Sequence, residues 1–152
     1  MGAVRQACIE QLCVADHNND ADTIAAWAGA DPTGKFTALL LDDAANLIVA
    51  VRNDTIVGLA GFSGDLVTLN YVHPDHRFMG ISKALMAEVE ARMQSADVIH
   101  ARLYSTATAI RFYRSLGWQE TGIGTSESGF LLVKSLDTDQ PNPVTREGQG
   151  VD

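Results

Sequence analysis

The stretch LNYVHPDHRFMGISKALMAEVEARM, Leu69 to Met93, decides how this chain is read. Leu69 to Val72 is strand-like and Pro74 stops it. From about Met79 to Gln94, the residues Ile81, Leu85, Val89 and Met93 recur at the spacing of one helix face. Between strand and helix lie Arg77 and, three residues on, Gly80. A helix N-terminus presents backbone N–H groups that have no partner inside the helix, and its aligned peptide dipoles add partial positive charge. An anion is the natural ligand of such a turn. Gly80 keeps a side chain out of its path, Arg77 adds a forked permanent charge, Lys83 a second cation and Ser82 a hydroxyl donor. The four residues describe a pyrophosphate cradle. The motif is short, however, and a loop glycine with surface charges ahead of a core helix would read the same way.

Outward from that turn, NLIVAVRNDTIVGLAGFSGDLVTLNYV reads as an antiparallel meander of three strands, Leu47–Val51, Ile56–Phe62 and Leu66–Val72. Asn53-Asp54 makes the first turn and Ser63-Gly64-Asp65 the second. Earlier in the chain, Val4 to His17 is helical, with Val4, Cys8 and Leu12 four apart and Ile9 and Cys13 beside them. The run DHNNDADT breaks that helix, and Asp22 or Thr23 caps a short one through Trp27. Thr33 caps a helix expected over Phe36 to Leu41. Downstream, Val98 to Ser105 is a strand between two helices, as a crossover connection expects. Thr106 to Leu116 is helical, with Ala109, Phe112 and Leu116 on one face and Gly117 as its stop. Strands near Trp118–Thr121 and Phe130–Lys134 complete the fold. From Asp137 the chain is rich in Pro, Gly, Asp and Gln, so 137–152 is expected to be a disordered tail behind a single domain at 1–136.

Composition narrows the function. With 152 residues, 46% hydrophobic and 20% charged, the chain has the make-up of a globular protein with one substantial core. A net charge of −8 argues against a nucleic-acid partner and suits a cationic substrate. No apolar run is long enough to span a bilayer, no secretory signal pattern opens the chain, and a cytoplasmic location is the default. Cys8 and Cys13 stand in no Cys/His cluster and read as free, buried thiols; no metal is expected.

A second segment, STATAIRFYRSLGWQETG, puts Tyr113 on a helix that ends at Gly117 and is followed by an aromatic residue and a strand. With it, the chain resembles the GNAT acetyltransferase superfamily over roughly Asp22 to Leu136. Val72, Pro74, Arg77 and Gly80 match the family's phosphate turn, and Phe112, Tyr113, Gly117 and Trp118 match its C-terminal signature. The chain departs in having Ser82 where the family has Gly or Ala, and Thr106 where many members have Asn. It also opens directly into a helical pattern, which leaves the family's usual first strand in question.

The resemblance implies a mixed α/β fold: a mostly antiparallel sheet with one parallel, splayed pair (the family's fourth and fifth strands) and flanking helices. It implies acetyl-CoA as acyl donor, its pantetheine arm running along the backbones of Asn70, Tyr71 and Val72, where a bulge frees an N–H for the thioester carbonyl. The pyrophosphate would sit on the N–H groups of Phe78, Met79, Gly80, Ile81, Ser82 and Lys83, beside Arg77, with Thr106 near the pantetheine or phosphate. An amine of a small molecule or protein would attack the acetyl carbon directly. Tyr113, a phenol protonated at neutral pH, would protonate the departing thiolate; for an isolated tyrosine, packing would be the simpler role. His73, His76, Asp75 and His100, or a water chain to an acidic side chain, are the candidate bases, and none is singled out. Trp27 and Trp118 read as packing residues. The alternative function is a module that binds acyl-CoA without turnover, as a sensor or partner subunit. A homodimer is left open.

Overall fold

The structure, a computed structural model, describes residues 1–12, 18–28 and 46–137. Cys13, the helix expected at 36–41, the tail beyond 137 and the side chain of Trp27 lie outside that description. The described elements run in the order α1 (Gly2–Leu12), α2 (Ala21–Ala28), β1 (Asn46–Arg52), β2 (Thr55–Ser63), β3 (Leu66–Val72), α3 (Ile81–Ser95), β4 (His100–Ser105), α4 (Ile110–Ser115), β5 (Gln119–Thr125) and β6 (Gly129–Ser135). Short 3₁₀ turns at Pro74–His76 and Ala107–Ala109 precede α3 and α4. The cap of α2 is Asp20, not Asp22 or Thr23: its carboxylate accepts the Thr23 N–H at 2.7 Å while its carbonyl accepts the N–H of Ile24.

The sheet has six strands in the order β1-β2-β3-β4-β6-β5, and only β3 and β4 are parallel. The first described element is a helix, and β1 is the sheet edge among the described residues. The meander follows from its turns. Asn53 and Asp54 both take positive φ (48° and 59°), the geometry that lets a two-residue loop follow the twist of paired strands, and Arg52 pairs with Thr55 across it.

Two apolar layers clamp the sheet. On one face, Leu85, Met86, Val89 and Met93 of α3 join Tyr113 of α4, Trp118, Leu103 and Leu132 in the main core. On the other, Val4 of α1 packs on Leu59 and Leu69. The α3 stripe is the one the sequence spacing predicts, with Met86 added. Gly58 on β2 lets α3 approach: a Cβ there would lie 3.0 Å from Ile81 Cγ2 and 3.1 Å from Leu85 Cδ1. The helix ends where Asp97 turns left-handed (φ 59°) and the Val98 N–H returns to the Met93 carbonyl at 3.0 Å.

Candidate active site: the cleft between β3 and β4

The two parallel strands pair only at Leu66–Arg102 and Val67–Leu103. An ion pair closes that end, with Arg102 Nε 2.9 Å from Asp65 Oδ2; the hydrogen bond from Arg102 holds the Asp65 carboxyl below the usual carboxylate range. Beyond it the strands part. Thr68 is the extra residue of a bulge, since Phe62 pairs with Val67 and Gly61 with Leu69. The bulge therefore lies at Thr68, just ahead of the Asn70–Val72 stretch to which the resemblance assigned it, and it changes the facing of the strand. Leu69 and Tyr71 pack toward α1, while Asn70 reaches Ser82 of α3 and Tyr113 of α4.

The parted strands enclose a cleft of about 540 Å³, lined by residues 67–72, the turn before α3, the first turn of α3, residues 103–106 and the inner face of α4. In that turn His73 Nδ1 accepts the Asp75 N–H at 3.2 Å, and the His76 and Arg77 N–H groups return to the carbonyls of His73 and Pro74. Phe78 (φ 61°) and Gly80 (φ 77°) are left-handed. A Cβ on Gly80 would meet nothing within 4 Å, so the backbone angle requires the glycine and the space before it is open. Gly80 is also the N-cap of α3, and no side chain caps the helix. The donors of its first turn are left for a ligand. Arg77, its guanidinium 4.7 Å from the Phe78 ring centroid, and Lys83 line the same mouth.

Tyr113 of α4 lines the cleft wall and is 8% exposed. The motif after it explains its placement: Gly117 turns left-handed, its N–H returns to the Arg114 carbonyl, and the Trp118 N–H bonds to the Tyr113 carbonyl at 3.1 Å. The Trp118 ring then meets the Tyr113 ring edge-on at 6.3 Å, while Trp118 Nε1 donates to Glu90 Oε1 at 3.0 Å. Burial pushes the Tyr113 phenol up to about 12, against the opposing pull of a hydrogen bond from Asn70. Asn70 Nδ2 donates to Tyr113 Oη at 3.2 Å, and Ser82 Oγ donates to Asn70 Oδ1 at 3.0 Å.

Of the residues singled out in the sequence, Asn70, Tyr71, Val72, Arg77, Phe78, Gly80, Ile81, Ser82, Lys83, Thr106 and Tyr113 all border this one cleft. Met79 does not; its sulfur accepts a bond from Arg52 Nη1 at 2.9 Å on the surface. Among the candidate bases, His76 lines the cleft, His73 and Asp75 shape the turn, and His100 lies exposed on β4 opposite Ser135. Cys8 of α1 also lines the cleft as a free, half-buried thiol, which burial pushes up while the Val72 backbone and Arg77 pull it down. Its spacing marked it only as a helix-face residue; nothing local said that α1 lies across β3. Among the described residues no three His, Cys, Asp or Glu side chains converge as metal ligands, and no helix is long and apolar enough to cross a membrane.

A family model of the acetyltransferase (GNAT) domain matches residues 15–134. The chain belongs to the GNAT acetyltransferase family. Solved structures agree with this GNAT fold. A GCN5-related N-acetyltransferase from Rhodopseudomonas palustris superimposes with a TM-score of 0.74 at 24% identity, covering 88% of this chain and 86% of that one. The PaiA N-acetyltransferase from Thermoplasma acidophilum, solved with coenzyme A, gives 0.78 at 16% identity over 88% and 89%. An aminoglycoside 6'-N-acetyltransferase complexed with coenzyme A gives 0.65 at 14% identity over 90% and 93%. No curated protein matches the sequence. The parallel, splayed pair of the GNAT fold is β3 and β4 here.

Proposed function

We propose that this protein is an acetyl-CoA-dependent N-acetyltransferase whose acceptor is a primary amine of a small molecule or protein. The observation that carries the reading is a cleft with an uncapped helix start at its mouth and a buried phenol along its wall. Two structural neighbours hold coenzyme A, which supports the same ligand here.

The residues fit that ligand. The space beside Gly80 is open, the N–H groups of the uncapped α3 start would meet a diphosphate there, and Arg77 and Lys83 supply cations for it. Past Val67 and Leu103, β3 and β4 no longer pair, and Asn70–Val72 line the cleft along which a pantetheine arm would lie as a strand would. When bound, acetyl-CoA supplies an acetyl group already activated as a thioester. Tyr113 holds a proton at Oη that burial keeps in place at neutral pH, where it can be given to a departing thiolate. Thr106, at the start of the 3₁₀ turn before α4, offers a hydroxyl on the opposite wall.

The test is ordered. Coenzyme A at 100 times its dissociation constant should add about 2.7 kcal/mol to stability, read as a rise in Tm. Acetyl-CoA with a panel of primary amines should release thiol, and Tyr113→Phe should bind coenzyme A but release thiol about a hundredfold or more slowly. Binding without turnover on any amine would favour an acyl-CoA sensor. No rise in Tm would overturn the cleft's assignment altogether.

A further inference from the structure

We propose that Ser82 is a positioning residue for Tyr113, acting through Asn70: the Ser82 hydroxyl fixes the Asn70 amide so that its N–H₂ donates to Tyr113 Oη, leaving the phenol's own proton free to face the cleft. The inference rests on the reading of Tyr113 as the acid that protonates the departing thiolate. It gives the Ser82 hydroxyl a use beyond the cradle, since that hydroxyl is bonded to Asn70 within the protein.

The three groups stand in line, Ser82 Oγ to Asn70 Oδ1 at 3.0 Å and Asn70 Nδ2 to Tyr113 Oη at 3.2 Å. They come from three elements, α3, β3 and α4, that converge only because the Thr68 bulge turns Asn70 toward this side of the sheet. An amide has one accepting end and one donating end, and the direction it takes decides what the phenol can do. With Oδ1 toward Ser82, the phenol oxygen accepts from Nδ2 and its single proton is not spent on Asn70. With the amide reversed, the phenol would donate to Oδ1 and its proton would be tied up. Two features hold the first arrangement. Ser82 lies in the first turn of α3, so the carbonyl end of the amide points toward the positive end of the helix dipole. The Ser82 hydroxyl, which can donate or accept, donates to the Oδ1 that the dipole turns toward it and pins that end of the amide. The helix start that would receive the diphosphate and the group that would protonate the thiolate are thereby joined through one side chain.

Without the Ser82 hydroxyl, the amide loses the bond that pins its carbonyl end. The test compares wild type, Ser82→Ala, Ser82→Thr, Tyr113→Phe and the Ser82→Ala/Tyr113→Phe double variant. The assay is thiol release from acetyl-CoA with the fastest acceptor among spermine, free lysine and an alanine-led peptide. The expected result for Ser82→Ala is a kcat about tenfold lower with KM for acetyl-CoA within about threefold, as the loss of one oriented hydrogen bond suggests. Ser82→Thr, which keeps a hydroxyl, should recover most of that loss. The double variant should be no slower than Tyr113→Phe alone, because the relay has nothing to act on once the phenol is gone. A Ser82→Ala protein with wild-type kcat beside an impaired Tyr113→Phe would overturn the relay and leave the acid role standing. A KM rise at constant kcat, or a loss that adds fully to that of Tyr113→Phe, would also overturn it, by placing Ser82 on the cofactor alone. A Tyr113→Phe protein as fast as wild type would remove the acid role and the relay with it.

Discussion

Alkaline pH should weaken this protein through Tyr113, and Tyr113→Phe isolates the effect. A free tyrosine titrates near 10, and burial lifts this phenol to about 12. Because the neutral form is the protonated one, the folded chain keeps a proton between those values that the unfolded chain gives up. The contribution is therefore complete below pH about 10 and lost as pH climbs toward 12. At about 1.4 kcal/mol for each tenfold difference in acidity, the whole effect is about 3 kcal/mol, and some 2 kcal/mol of it falls between pH about 9 and about 11.5. The assay is urea unfolding of wild type and Tyr113→Phe at both pH values. Tyr71 and Tyr104 are common to both proteins, so the comparison reads the change at Tyr113. At pH about 9 the variant should already be about 1 kcal/mol less stable, since Asn70 loses the acceptor of its Nδ2 donor. By pH about 11.5 the gap should have closed or reversed. A gap that does not change with pH would mean that Tyr113 ionises like an exposed tyrosine, and the dry wall assigned to it would be wrong.

Other substitutions probe the scaffold of the cleft. Glu90→Ala removes the acceptor shared by Lys134 Nζ at 2.7 Å and Trp118 Nε1 at 3.0 Å, and should cost about 2 to 4 kcal/mol in urea unfolding; a loss under about 0.5 kcal/mol would mean the network contributes nothing. Gly58→Ala pushes a methyl against Ile81 and Leu85, so stability should fall by about 1 to 3 kcal/mol and coenzyme A affinity should fall with it, because Ile81 opens α3; calorimetric titration reading an unchanged affinity would separate the two. Phe78→Gly relieves a left-handed φ of 61° on a side chain that is 94% exposed, so Tm should rise by the equivalent of about 1 kcal/mol while coenzyme A binding, which needs only the N–H, stays within about threefold. A large loss of affinity would show that the ring itself grips the ligand.

The local grammar of the chain was legible because it is written in short-range constraints. Proline after β3, left-handed Gly80 and Gly117 and the α3 stripe each act within a few residues, and they located the strand-to-helix turn and the Tyr113 helix. The Met79 side chain stands outside the cleft wall because the left-handed residues on either side of it, Phe78 and Gly80, turn it outward to Arg52. The α2 cap was missed by two residues, since Asp20, Asp22 and Thr23 are equally good formers of that bond and only the chain path chooses. Cys8 on the cleft wall and the Ser82–Asn70–Tyr113 line were not legible, because each depends on elements far apart in sequence meeting across a strand whose facing is reset by one bulged residue.

The direct seam between the sheet's halves, β1-β2-β3 and β4-β6-β5, is narrow among the described residues: two residue pairs, with the Asp65–Arg102 ion pair and backbone hydrogen bond at its end. Anything filling the gap beyond that seam would stiffen both halves at once. Amide exchange in β6, a strand that contributes nothing to the cleft wall, should then slow on occupancy and serve as a distant gauge of it.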